Sequence, residues 1–302
     1  MKIIDWLADK VQATTGEKER RQKVERIKEL VSDFKINISH AINVLNESIE
    51  KFNYWIRNLN DVRKQKIGIN IRELNSSLTK YGNCKVVEEY ADEYEKNNSL
   101  FPEETYQKLE DYLGDIDWSS DDVFWSTFLL SPLGMKHKTR KQNVQLTESA
   151  NDLELLIAET LKELEIKKFN TELETSICQM YIENVLFISN TISNVIIPEL
   201  RIIDSFFQAE KLKNVVICNK ELNDIVFEYN ISSLVDTKYE RHYQFIKNAF
   251  AFYVIACKIY NTPVLSRLLQ HNVTETDRSI VNKENELLSL QAGKVRGLVC
   301  FG

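Results

Sequence analysis

Residues 24–62 read VERIKELVSDFKINISHAINVLNESIEKFNYWIRNLNDV, and the spacing of their apolar side chains decides the fold. Positions 24, 31, 38, 45, 52 and 59 are Val, Val, Ile, Leu, Phe and Leu, and positions 27, 34, 41, 48, 55 and 62 are Ile, Phe, Ala, Ser, Trp and Val. Ser48 is the one polar exception. A repeat of seven keeps one seam of an α-helix turned to the same side, so this helix must lie lengthwise against other helices. The expected packing seam is Val24, Ile27, Val31, Phe34, Ile38, Leu45, Phe52, Trp55, Leu59 and Val62. Ile42, Ile49 and Ile56 widen the stripe on one flank, which favours a multi-helix bundle over a two-stranded coil. A helix over residues 17–66 would run about 75 Å, against about 50 Å for the diameter of a compact chain of this length, so an elongated molecule is expected.

Working outward, the rest of the chain agrees with long helices. Eight glycines and four prolines in 302 residues are about a third of the usual share, and strands, which average five to six residues, would need many more such breaks. The fold class expected is all-α, an elongated bundle with long coiled-coil-like helices in a single domain over 1–302. Within it, 1–82 forms the long N-terminal helix and its return, with Gly68 as the first breaker and Gly82-Asn83 as a C-cap. Residues 83–122 hold short acidic helices, over 85–96 and 102–113. Residues 123–141 form an apolar and basic tip. A second long helix covers 142–213, kinked or restarted at Pro198 because proline lacks the backbone donor. Residues 214–302 complete the bundle, with helices over 220–260 and 263–291 parted at Asn261-Thr262-Pro263. The wholly apolar run AFAFYVIAC, 249–257, belongs at the bundle centre.

Charge is uneven. The net charge is −6, yet between Lys85 and Asp122 thirteen acidic residues face three lysines, leaving the remainder net basic. Nothing in this balance resembles the clustered Lys and Arg that replace counterions on nucleic acid, so no nucleic-acid partner is expected. Five cysteines, at 84, 178, 218, 257 and 300, form no C-x-x-C and read as reduced thiols. The start MKIIDWLADK carries Asp5 and Asp9 among its apolar residues, unlike a signal peptide. The uncharged stretches 123–135 and 184–198 fall short of the roughly 18 to 20 apolar residues that cross a bilayer. A cytoplasmic protein is expected, and its richness in Lys, Ile and Asn suggests a bacterial source.

Chemistry-bearing motifs are sparse. The four histidines, His40, His137, His242 and His271, stand far apart, with no H-x-x-x-H, H-E-x-x-H or E-x-x-H, so neither a zinc nor a di-iron site is expected. Arg267-Leu-Leu-Gln-His271 has three intervening residues where the Arg-x(4–6)-His motif of helical nucleases has four to six. Asp115, Asp117, Ser119 and Asp121 begin like a calcium loop, but Ser120 stands in place of its glycine and Ser126 in place of its bidentate glutamate. No phosphate-binding glycine loop is present, and no cofactor is expected.

One segment makes a functional claim. Phe124, Trp125, Phe128, Leu129, Leu130, Leu133 and Met135 are followed by Lys136, Lys138, Arg140 and Lys141. Such apolar residues enter a membrane interface while adjacent cations meet anionic head groups, at ~1 kcal/mol per basic residue. An apolar tip between long helices is similar in outline to two-component α-helical pore-forming toxins, a resemblance of shape that implies a membrane-active protein as the alternative. The primary expectation is a non-enzymatic scaffold, adaptor or oligomerising subunit that meets a protein partner, or its own copies, through long helices. A helical enzyme with a site assembled from scattered residues is the third reading.

Overall fold

The computed structural model describes residues 17–82, 85–96, 100–114, 116–120, 123–124, 127–128, 150–218 and 231–299. Helix accounts for 86 % of the structure and no strand is present among the described residues, which makes the fold an all-α multi-helix bundle. The helices are α1 (Glu17–Val62), α2 (Gly68–Leu78), α3 (Lys85–Lys96), α4 (Glu110–Gly114), α5 (Ala150–Thr191), α6 (Ile197–Cys218), α7 (Glu240–Tyr260), α8 (Val264–Leu269) and α9 (Glu275–Arg296). The chain divides into two compact units, Met1–Asn53 with Tyr106–Glu172, and Tyr54–Thr105 with Leu173–Gly302. The long helices α1 and α5 each contribute residues to both units.

In the first unit the heptad seam of α1 forms the core. Ile27, Val31, Phe34, Ile38, Ile42, Leu45 and Ile49 are buried with Leu109, Ile116, Phe124, Phe128, Leu153, Leu156 and Leu164. Each such side chain removed from water is worth about 1.5–3 kcal/mol, which fixes which face of α1 turns inward. The polar exception, Ser48, donates its hydroxyl to the Val44 carbonyl one turn back and so stays satisfied at a half-buried position.

The expected helix over 102–113 is corrected to an irregular segment followed by the short α4. Asparagines on α1 account for this. Asn53 donates to the Tyr106 carbonyl at 2.9 Å and accepts from its amide at 3.3 Å, and Asn46 accepts the Leu109 amide at 2.6 Å. In the second unit Asn60 does the same for Phe101, at 2.7 and 2.8 Å. A primary amide offers one donor and one acceptor in a peptide-like arrangement, so it satisfies a backbone that has left the helix.

Helix α7 lies at the centre of the second unit, packed on α9, α2 and α3. Phe245, Ile246, Ala249, Phe252, Tyr253, Ala256 and Cys257 are buried, and within the apolar run only Ala251 is exposed. Its start is corrected from residue 220 to Glu240: residues 231–239 form a short 3-10 segment and turns, with Asp236 at φ 59. The expected helix over 263–291 is two helices, α8 and α9, and α9 begins with a capping box between Thr274 and Asp277.

The break expected at Gly68 is absent. Backbone at Gly68 is helical (φ −57, ψ −37), and the chain passes from α1 to α2 through a π-helical turn, Arg63–Ile67. A second π-helical turn, Ile192–Ile196, carries α5 into α6 just ahead of Pro198. Each turn absorbs one residue of the heptad. Buried positions 45, 52 and 59 continue as 67, 74 and 81, a single step of eight across the first turn. Positions 178, 185 and 192 continue as 200 and 207 across the second, again with one step of eight. The extra residue bulges into i→i−5 bonding, seen at Ile197 N–H to Ile192 O, and the apolar line resumes in phase. Gly82, expected with Asn83 to cap the helix, is extended at φ −177.

Candidate functional site

The first π-helical turn places an arginine inside the second unit. Ile42, Ile49 and Ile56 mark a buried line of α1, and the next position on it is Arg63, 2 % exposed. Its Nη1 donates to the Tyr181 hydroxyl at 3.0 Å and to the Tyr260 carbonyl at 3.3 Å, and Tyr181 itself donates to that carbonyl at 3.0 Å. Tyr260 ends α7, where the unpaired carbonyls of the last turn carry partial negative charge that suits a guanidinium. The guanidinium carbon lies 4.2 Å from the Tyr260 ring centroid and 5.7 Å from that of Phe101. Quadrupole attraction and directed acceptors together offset the cost of taking a cation out of water. Tyr94 stacks obliquely on Tyr260 at 4.5 Å, and its hydroxyl would lie 2.7 Å from a Cβ at Gly68. Glycine is thus required there by the close approach of α3.

Burial pushes the Tyr181 phenol up to about 12 despite the neighbouring Arg63, and raises Tyr260 and Tyr253 further. Burial likewise lifts the thiols of Cys178 and Cys257 to about 12, so both remain unreactive thiols. Glu284 of α9 moves toward neutrality: burial raises its pKa from 4.5 to about 7. Among the described residues no three His, Cys, Asp or Glu side chains converge as metal ligands do.

The histidines separate. His40 is exposed on α1. His242 is half-buried against the rings of Phe206 and Tyr239, and that burial lowers its pKa. His271 meets the carboxylate of Glu174, and Arg267 pairs with Asp277 instead of with His271. His137 lies outside the described residues.

Of the expected seam, Ile27, Val31, Phe34, Ile38, Leu45, Phe52, Leu59 and Val62 are buried, while Val24 and Trp55 are half-buried. Of the expected tip, Phe124 and Phe128 are fully buried and meet Phe34 edge-on at 6.1 and 5.3 Å, so these two are core residues of the first unit. Trp125, Leu129, Leu130, Leu133, Met135, Lys136, Lys138, Arg140 and Lys141 lie outside the described residues. Surface apolar side chains occur elsewhere. Ile166 and Phe169 are more than half exposed on α5, as are Leu287 and Leu290 on α9 and Val216 and Ile217 on α6. The first two pairs have i, i+3 spacing, which puts each pair on one helix face.

Sequence reasoning missed Arg63 and the asparagines. The signal for Arg63 is its place at the end of the Ile42, Ile49, Ile56 series. The signal for the asparagines is the seven-residue interval of Asn46, Asn53 and Asn60, each adjacent to a seam position.

No family model matches this chain, and no curated protein or solved structure matches it either.

Proposed function

We propose that the chain is a non-enzymatic helical scaffold or adaptor that works by offering helix faces to protein partners or to further copies of itself. The observation that supports this reading is the division of its apolar side chains. The heptad seam is used inside the chain's own cores, while Leu287 and Leu290, 58 % and 59 % exposed, stand at one-turn spacing on the surface of α9. Burying the exposed part of two leucines against a partner is worth about 2–3.5 kcal/mol before the cost of association, enough to matter in a larger contact. The test is molar mass by light scattering over a concentration series. The parent chain is expected to exceed its monomer mass of 35.3 kDa as concentration rises, and Leu287→Asp with Leu290→Asp to return it to monomer at unchanged helicity. A parent that stays monomeric throughout would refute self-association.

A second reading, peripheral action at an anionic membrane from a cytoplasmic location, has one observation in its favour. Residues Leu153–Ile217 and Glu240–Leu269 are long and apolar enough, by length and composition, to cross a bilayer, although about half of each apolar window is buried in the protein. Co-sedimentation with phosphatidylserine vesicles tests it. Binding that survives Trp125→Ala, Lys138→Ala and Arg140→Ala together would remove the 123–141 tip from this reading.

A further inference from the structure

Helix α8 ends in a motif that normally calls for glycine. The His271 amide bonds the Leu268 carbonyl at 3.3 Å and the Asn272 amide bonds the Arg267 carbonyl at 3.0 Å, the paired closure of a Schellman turn. His271 occupies its left-handed position at φ 53, where a side chain is unfavourable. The ring compensates. Nδ1 lies 3.1 Å from Oε2 of Glu174, whose side chain is 1 % exposed, and Nε2 lies 3.3 Å from the Thr105 carbonyl. Both partners are acceptors. With Glu174 ionised, only an imidazolium, which carries N–H on both nitrogens, serves both acceptors; a neutral ring carries one N–H and must release one acceptor.

We infer that His271 is a proton-operated latch that holds the 100–105 segment against the turn after α8 when doubly protonated and frees it as the ring loses a proton. Charged groups around it fit this role. From α5 the facing group is Glu174, whose carboxyl is buried. On the latched segment, Glu104 is engaged by Arg57 at 3.0 Å, and Glu103 is exposed beside it. On the ring's own loop Arg267 is committed to Asp277, which also accepts the Thr274 amide at 2.9 Å. The segment carries its own reporter, the Phe101 amide bonded to Asn60.

The test is hydrogen exchange of the full chain at pH 5.5 and pH 8, with each rate divided by its intrinsic value. A Glu284→Gln background removes one other group whose pKa lies near neutrality. Protection over 100–105 is expected to fall about tenfold on raising the pH, the loss of one charge-assisted bond. His271→Asn, which tolerates the left-handed backbone, is expected to be equally unprotected at both pH values. The inference is overturned if protection in the parent does not change with pH, or if His271→Asn keeps the same pH dependence. Should His271→Asn not fold, ring ¹⁵N spectra of the parent decide. Two protonated nitrogens that become one in step with Phe101 exchange support the latch, and ring titration without any change in that amide overturns it.

Discussion

Replacing Glu284 with glutamine should make the protein more stable in mild alkali and leave it nearly unchanged in mild acid. One carboxylate oxygen of Glu284 is sealed from solvent, and burial raises its pKa from 4.5 to about 7. Because the folded value lies above the unfolded one, the folded state holds the extra proton. The associated stability is complete below about pH 4.5 and is lost as the pH rises through about 7. A difference of that size corresponds to about 3.4 kcal/mol if none of it were screened. The side chain is only half-buried, and solvent screening reduces the expected effect to about 1–2 kcal/mol. Glutamine keeps the shape and a neutral amide, so it imitates the protonated acid at every pH. Urea unfolding at intervals between pH 5 and 8.5 should therefore show parent and Glu284→Gln together at pH 5, separating to about 1–2 kcal/mol in favour of the variant by pH 8.5. Two curves that stay parallel over the whole range would refute the reasoning, because they would mean that the carboxylate is hydrated in the folded state.

Two other substitutions follow from the packing. Asn53→Leu keeps the branched shape but strips both bonds from Tyr106, and thermal unfolding should report a loss of about 1–3 kcal/mol. Gly68→Ala would normally add about 1 kcal/mol within a helix, but the new methyl meets the Tyr94 hydroxyl at 2.7 Å. The variant should be less stable than the parent by calorimetry, and a gain in stability would show that α3 shifts freely.

The all-α class was legible because it rests on local regularities, the scarcity of glycine and proline and the seven-residue spacing of 24–62. Both are visible without knowing any partner residue. What escaped were features set by distant contacts. The 102–113 segment has helical composition and proline at a favourable start, yet Asn46 and Asn53 bond its backbone from more than fifty positions away. The Glu174 and His271 pair is separated by 97 positions, so no spacing rule brings it to notice. Phe124 and Phe128 looked like residues for an interface because their segment is aromatic and ends in cations. Their core partner, Phe34, belongs to a helix about ninety positions earlier. Arg63 was concealed differently, since a cation at the end of an isoleucine series reads as the place where burial stops.

The eight-residue steps at Arg63–Ile67 and Ile192–Ile196 also bear on how this sequence tolerates length change. Each is an insertion scar already healed by the backbone. Excising one residue there would turn the widened loop back into ordinary α-helix while every downstream side chain keeps its angular bearing. The same excision one or two turns away would swing the remainder of the helix by about 100° and present the wrong side chains to its neighbours. Natural variants of this chain that differ by a single codon should therefore gather at these two places.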